Sequence, residues 1–392
     1  MDPFKIDSRA QITAAAVRRV KHGHLWVYAG EVECEPPGPA PAIVQVIDAA
    51  ANVLGYAFYS RPSQIRLRFF SRAAQPPTPE YFRARLSDSI ARRRSPGGQG
   101  SAGRLVFGEG DLLPGIIVDR YGDYLVLQTL SSGADALKPL LAETLRDLLS
   151  PAGILERNDV KARRLEGLEE IQGVLWGSVP EVVEISENGI RFLVDLYRGQ
   201  KTGFFLDQSR NRTAAAMYAS GRALDCFCNT GAFALQFARH CESVLAVDIS
   251  AGSLQLARRN RELNGFRNVE FTEGNVFDFL RGLEAEGQSF DTICLDPPAF
   301  AKNRKARAGA RSGYKEINLR ALRLLRPEGV LITSSCSYHM PEADFLDLLI
   351  DAARDSHRFI QVIERRSQSD DHPVLAAMPE TQYLKCFFLR AL

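Results

Sequence analysis

Two groups of residues in the C-terminal half have the types and spacing to do chemistry. The first is Asp296-Pro297-Pro298-Ala299-Phe300, which follows Ile293-Cys294-Leu295. The apolar triplet reads as the end of a buried strand with an acid at its tip. Pro297 and Pro298 lock φ and lack backbone donors, so the turn is stiff and leaves its carbonyls free. An acid and free carbonyls beside the Phe300 ring suit a flat, hydrogen-bonding substrate such as a nucleobase. A strand closing in an ordinary Asp-Pro turn is the plainer alternative. The second group is Thr333-Ser334-Ser335-Cys336-Ser337-Tyr338, just past the next strand. A buried core cysteine is the usual case, but a strand's carboxyl end in the same crevice favours a nucleophile. Methylating C5 of a pyrimidine demands one, because that carbon becomes enamine-like only after a thiolate adds at C6. Cys336 would make that bond, and Asp296 would hold the N3/N4 edge of the base.

A methyl donor is legible at three further strand ends. Asp225-Cys226-Phe227-Cys228-Asn229-Thr230-Gly231 closes one strand, and Gly231 lets the backbone pass close beneath a ligand at a helix N-terminus. The spacing is not the GxGxxG that seats a pyrophosphate, which disfavours a nicotinamide cofactor and an oxidoreductase. Asp248, followed by Ile249, ends the next strand, where a carboxylate can accept both hydroxyls of a ribose. Asn275, followed by Val276, comes after the third and could meet an adenine edge. Each alone could be a helix cap. Together, Asp225, Phe227, Asn229, Gly231, Asp248, Ile249, Asn275 and Val276 outline a site for an adenosine cofactor without phosphates, S-adenosylmethionine. Asp296 would border the same site.

From about residue 184, strands alternate with helices, the signature of a doubly wound α/β sheet whose ligands sit at the carboxyl ends of the strands. The predicted strands are 223–227, 243–248, 269–272, 290–295 and 329–334, with helices over 232–240, 253–263, 276–283 and 314–325. Residues 1–72 read as a small β-rich domain. A proline-rich stretch, Gln75-Pro76-Pro77-Thr78-Pro79, leads into a central α+β domain over 73–183, which opens with a helix carrying Arg83, Arg85, Arg92, Arg93 and Arg94. No catalytic constellation is visible there, and it reads as a spacer or substrate-positioning module.

The length of 392 residues calls for two or three domains, and 45% hydrophobic with 24% charged residues is the balance of a globular protein. No apolar run approaches a membrane span, and no secretory signal precedes the first domain, so no membrane partner is expected. The seven cysteines show no CxxC pairs, which argues against a disulfide framework or a zinc site and for the reducing cytoplasm. A net charge of only +2 means that any nucleic-acid footprint must be local. Three segments supply candidates. Arg18, Arg19 and Lys21 with Trp26 interleave charge with an aromatic surface. The arginine helix is the second. Lys302, Arg304 and Lys305 follow the acidic tip directly, where Pro297, Pro298 and Phe300 would touch the base.

The chain resembles the RlmI-type bacterial 23S rRNA (cytosine-C5) methyltransferases. The matching stretches are Leu25 to Tyr28; Gly110 to Gly115 with Asp119-Arg120; Glu156 to Val160; Lys201-Thr202-Gly203-Phe204-Phe205-Leu206-Asp207-Gln208; Asp296 to Phe300; Gly313 to Asn318; Ser335-Cys336-Ser337; and Asp371 to Val374. The resemblance implies an N-terminal PUA domain, a central β-β-α-β-β-type domain and a C-terminal class I methyltransferase domain. It implies 23S rRNA as partner rather than DNA, with Cys336 as nucleophile. It also adds Lys201, Thr202, Gly203, Phe205, Asp207 and Gln208 to the cofactor side, a role that composition does not reveal. Many RNA cytosine-C5 enzymes carry a second cysteine after the two prolines; Ala299 stands there. Related enzymes often have Asp where this chain has Asn275.

Two other functions stay open at this point. A similar catalytic domain methylates base nitrogens, as in guanine-N7 enzymes, and would not need Cys336. A non-catalytic RNA-binding assembly factor would not need the acids. A homodimer through the small β domain or a sheet edge is also possible.

Overall fold

In the computed structural model, which describes residues 2–37, 40–93, 101–300 and 307–392, the alternation that begins near residue 184 closes into one seven-stranded sheet. Its strands in chain order are β1 (Arg222–Cys226), β2 (Ser243–Asp248), β3 (Val269–Glu273), β4 (Phe290–Leu295), β5 (Leu325–Ser335), β6 (Ile360–Arg366) and β7 (Lys385–Ala391). The spatial order is β3-β2-β1-β4-β5-β7-β6. Neighbours from β3 to β5 are parallel, and β7 runs antiparallel between β5 and β6. After β3 the chain crosses to the far side of β1, so the winding reverses between β1 and β4. The carboxyl ends of those two strands therefore flank the crevice in which open α/β sheets bind ligands.

The helices are α1 (Ser209–Tyr218), α2 (Ala232–Phe237), α3 (Ala251–Leu263), α4 (Val276–Ala285), α5 (Arg307–Leu324) and α6 (Glu342–Asp355). Central parallel strands have helices over both faces, so their sequences are continuous apolar runs rather than alternations. Leu224, Ile293, Leu295 and Leu331 from the sheet pack with Ile317, Phe345, Leu348 and Leu349 from the helices. Each such side chain contributes about 1.5–3 kcal/mol on burial, which fixes the strand tips firmly.

Three differences from the sequence reading stand out. Helix α5 begins at Arg307 rather than 314, because Ala310 and Arg311 are strong helix formers although the apolar periodicity starts only at Tyr314. Strand β5 starts four residues early, at Leu325. The α6-β6-β7 extension lies beyond the predicted elements, and Cys386-Phe387-Phe388-Leu389 is wholly buried in β7.

The chain divides into two compact units, the first made of 1–185, 194–206 and 371–381, the second of 186–193, 207–370 and 382–392. The first unit includes a six-stranded and a five-stranded sheet among its described residues. One has six strands, running in space Trp26–Tyr28, Ile65–Ser71, Val53–Tyr59, Ile43–Ile47, Arg9–Ile12, Val32–Cys34. The other has five, Ile171–Gly177, Gly153–Asn158, Tyr124–Thr129, Ile116–Tyr121, Ala102–Phe107. Gly122, at φ +62°, makes the tight turn between two of them, a left-handed conformation that a β-carbon would strain. Phe58, Phe70 and Phe82 form an aromatic centre, with ring centroids 4.7 Å apart for Phe58–Phe70 and 5.1 Å for Phe70–Phe82. The arginine helix spans Pro79–Arg93, with Pro79 in the first turn where a missing N–H costs nothing; Arg94 lies outside the described residues.

Candidate active site

Three acids stand at the carboxyl edge of the second unit's sheet. Asp225 lies in β1, one residue before its end, and is 1% exposed; Asp248 ends β2; Asp296 follows β4. Asp225 Oδ2 accepts the Ala234 N–H at 2.9 Å, in the first turn of α2, while its Oδ1 is buried without a hydrogen-bond partner. Burial raises the Asp225 carboxyl well above the ordinary carboxylate range, and the negative charges of Asp296 and Asp248 add to the rise. Burial and two like charges favour the protonated form of Asp225, and a cation beside its unsatisfied oxygen would favour the ionised one.

The β1–α2 turn carries the strain that the glycine foretold. Phe227, Asn229 and Gly231 all have positive φ, at 65°, 47° and 84°. A β-carbon on Gly231 would lie 3.0 Å from the Phe271 ring, so the backbone is packed as tightly as it can be there. Asn229 donates its N–H to Asp248 Oδ2 at 2.9 Å and Ser250 donates to Oδ1 at 2.9 Å, which aims the Asp248 carboxylate while leaving lone pairs for other donors. Ile249, beside it, is 70% exposed and presents an apolar surface at the strand tip. Asn275 is the N-cap of α4, and its Oδ1 accepts the Phe277 N–H at 2.9 Å. That is the helix-cap alternative realised, and only the second lone pair of this carbonyl remains for an adenine amino group. Val276 is buried in the core of α4.

Around Asp296 the tertiary structure brings together residues that sequence alone keeps far apart. Gln208 Nε2 donates to Asp296 Oδ1 at 2.8 Å and to Ser334 Oγ at 3.3 Å. Asn211 Nδ2 donates to Gln208 Oε1 at 2.6 Å, and Arg366 Nε donates to Asn211 Oδ1 at 3.1 Å. Gln208 is 2% exposed and Asn211 is fully buried. Gln208, expected on the cofactor side, thus touches the acid of the proline turn. Asp207 accepts the Tyr383 hydroxyl at 2.7 Å, and its backbone carbonyl accepts from Ser369, which ties it to the chain before β7. Asn211 follows Gln208 by one helical turn, a findable signal; nothing local marks Arg366.

Pro297 is buried and Pro298 exposed, so the turn offers one proline face to the outside. Phe300 packs edge-on to Phe227 with centroids 6.3 Å apart and lies 4.6 Å from the Tyr314 ring. Tyr314 lies in the matching stretch Gly313 to Asn318, and its hydroxyl is buried and unpaired. Ser335 and the Phe300 backbone approach it short of good hydrogen-bond geometry. Burial pushes that hydroxyl up to about 12.

Strands β4 and β5 are parallel neighbours, with Leu295 opposite Thr333, so Asp296 and Cys336 emerge at the same edge. All seven cysteines are free. Within the second unit, Cys226, Cys228, Cys241, Cys294 and Cys386 are buried, and burial raises each of these thiols. Cys336 alone among them is partly accessible. No group of three or more potential metal ligands occurs among the described residues.

The remaining predicted residues lie in the first unit or outside the described ones. Thr202 is buried, donating to Asp119 Oδ2 at 2.5 Å and pairing with the Tyr121 hydroxyl at 2.9 Å. Lys201 has its ammonium 4.7 Å from the Phe205 ring centroid, and Gly203 sits at φ +134°. Arg18 and Lys21 are exposed, whereas both terminal nitrogens of Arg19 grip Glu31 at 2.5 Å. Arg19 is therefore a weaker candidate for phosphate than its neighbours. The Trp26 indole donates to Glu109 at 2.9 Å, and its ring lines a cavity of about 80 Å³ with Phe107, Met378 and Glu380. On the arginine helix, Arg93 is held by Asp111 at 2.6 Å and Arg83 by Glu143 at 3.1 Å, so it offers less free charge than its sequence suggests. Lys302, Arg304 and Lys305 lie outside the described residues.

Comparison with known proteins gives this arrangement a context. A family model described as S-adenosylmethionine-dependent methyltransferase matches residues 161–388, and a PUA-like domain model matches 10–72. The chain is 40% identical over 382 residues to ribosomal RNA large subunit methyltransferase I of Yersinia pestis, covering 94% of this chain and 96% of that protein. Among solved structures, a provisionally assigned SAM-dependent methyltransferase from Streptococcus mutans superimposes with a TM-score of 0.84 at 22% identity, covering 97% of this chain and 99% of that one. A provisionally assigned methyltransferase complexed with SAH matches at the same TM-score of 0.84 and 22% identity, with the same coverage.

Proposed function

The chain belongs to the S-adenosylmethionine-dependent methyltransferase family that includes ribosomal RNA large subunit methyltransferase I, and on that premise we propose that it methylates C5 of a cytosine in 23S ribosomal RNA. The observation that carries the reading is the partly accessible thiol of Cys336 at the edge that holds Asp296, where the other cysteines of the second unit are buried.

The residues present fit the cofactor. S-adenosylmethionine carries a sulfonium and an ammonium, and the crevice carries three carboxylates, one with a buried oxygen lacking a partner. Asp225 would take the ammonium, Asp248 the ribose hydroxyls, and Ile249 the flat face of the adenine. Phe227, Asn229 and Gly231 would shape the backbone beneath it. When bound, the cofactor supplies an electrophilic methyl group.

The chain's own residues then do the following. Cys336, as thiolate, forms a bond from sulfur to C6 of the cytosine, and the C5–C6 π pair moves onto C5, which would then bond the methyl group while the methyl–sulfur pair stays on the departing sulfur. Asp296 accepts from the N4 amino group and keeps the ring in place, itself held by Gln208. Phe300 and the Pro298 face line the pocket. Ala299 offers no acid–base group, so the C5 proton passes to water or another base, its bonding pair re-forms the C5–C6 double bond, and the sulfur–carbon pair leaves with Cys336 as thiolate.

We assign catalysis to 184–392, positioning of the RNA to 73–183, and RNA binding to the PUA-like domain over 1–72, with Arg18 and Lys21 as phosphate contacts. The enzyme would act in the cytoplasm, where large-subunit rRNA is found. The test is methyl incorporation into large-subunit rRNA, with the product base identified by mass spectrometry. Wild-type protein should yield 5-methylcytosine, and Cys336→Ala should yield none. Undiminished turnover by Cys336→Ala, or a methylated purine, would sink the mechanism.

A further inference from the structure

Lys385 opens β7 and sits opposite Ser335 in the β5–β7 ladder, one residue before Cys336. It is 6% exposed, an unusual place for a lysine. Its ammonium donates to the Ser337 carbonyl at 2.7 Å and to the Tyr383 carbonyl at 2.9 Å. Those two carbonyls bracket the nucleophile's segment on one side and the lysine's own strand on the other. Among the described residues it makes no ion pair with a carboxylate. A buried ammonium held only by neutral dipoles is costly, so the fold is expected to retain it for a purpose.

We propose that Lys385 is the positioning residue that stabilises the Cys336 thiolate, making it a nucleophile at neutral pH. This rests on the nucleophilic role given to Cys336 above and extends it to a residue that neither the proline turn nor the cofactor motifs identify.

The electrostatics agree with the geometry. Burial lowers the Lys385 ammonium to about 8, and interactions with Cys336 first and then Glu342, at the start of α6, oppose the fall. Other ionisable groups face the thiol. Tyr314 from α5 interacts with both Cys336 and Asp296, and burial keeps it neutral at physiological pH. Cys386, next to Lys385 in β7, is itself buried and held protonated. Carboxylates at Asp296 and Glu342 work against a thiolate, and the Lys385 ammonium supplies a counter-charge at this corner. Its hydrogen bond to Ser337 also anchors the backbone that follows Cys336, which limits how far the sulfur can drift from the pocket. The thiol gives its proton to solvent, or to Lys385 when that lysine is neutral. Both routes end in the same thiolate–ammonium pair, whose two protons titrate as a pair. Sulfur then supplies the electron pair for the bond to C6, and Lys385 remains an ammonium throughout.

The test is the rate of Cys336 alkylation by iodoacetamide in the full-length protein between pH 5 and 10, resolved by peptide mass spectrometry so that Cys34 does not interfere. In wild type the midpoint of the rate profile should lie at least one pH unit below the free-cysteine value of about 8.5. In Lys385→Met it should move up by one unit or more, and methyl transfer lost at pH 7 should partly return at pH 9. Calorimetry with S-adenosylhomocysteine checks that the variant folds. A wild-type midpoint at or above the free-cysteine value overturns the proposal whether or not the variant folds, as does an unchanged midpoint in folded Lys385→Met. The nucleophile assignment fails separately, through an active Cys336→Ala.

Discussion

Replacing Gln208 by Met asks whether Asp296 works alone or only when held. The substitution keeps length and volume but removes the amide that donates to Asp296 Oδ1 at 2.8 Å and accepts from Asn211 at 2.6 Å. A hydrogen bond to a charged group is worth about 1.5–3 kcal/mol. If Asp296 must be aimed for the reaction, that energy appears in the rate as a roughly 10- to 150-fold fall in kcat, at about 1.4 kcal/mol per factor of ten. Asn211 retains the Ser367 carbonyl at 3.1 Å, so the network behind the glutamine has somewhere to go and the fold should survive. Single-turnover methyl transfer to rRNA measures the rate, and calorimetry with S-adenosylhomocysteine measures cofactor affinity. We expect the rate to fall and the affinity to stay within about two-fold. An affinity that falls in step with the rate would return Gln208 to the cofactor side, where the resemblance places it. An unchanged rate would show that Asp296 needs no support.

Two further outcomes can be checked with simpler assays. Arg212 is 1% exposed and binds both oxygens of Glu187 at 2.6 Å, so Arg212→Met strands a buried carboxylate; urea titration should show a loss of about 3–5 kcal/mol, most of it regained in Arg212→Met with Glu187→Met. Asp225 has its folded-state pKa raised, first by burial and then by Asp296 and Asp248. The folded protein therefore binds that proton more tightly than the unfolded chain. Its contribution to stability is complete below the unfolded value of 3.8 and is lost as pH rises through the folded value. Thermal unfolding of the ligand-free protein should lose less stability over that window in Asp225→Asn than in wild type; parallel curves would show that Asp225 is already ionised without cost.

The residues themselves determined much of this protein. Continuous apolar runs ending in Asp248, in Asp296 and near Cys336 read as buried parallel strands, and a parallel sheet brings their carboxyl ends to one edge. Gly231 marked a backbone that only glycine suits, and Pro297-Pro298 marked a stiff turn. Those signals are local, carried by a few neighbouring residues, and so were readable in one dimension. What only the tertiary structure decided concerns partners distant in the chain. Arg19 looked free until Glu31 folded against it, and Asn275 looked like a ligand group until its carbonyl turned to cap α4. Strand β7 carries an unbroken apolar run whose neighbours could not be guessed, because register between β5 and β7 depends on packing over the whole sheet. That register sets Lys385 opposite Ser335 and so places a buried charge beside Cys336. The run Asp296 to Phe300 was legible as a pocket wall, but the Gln208–Asn211–Arg366 chain that steadies it spans 155 residues between its last two members. Sequence periodicity cannot encode a hydrogen bond of that reach; it exists only once the sheet has closed.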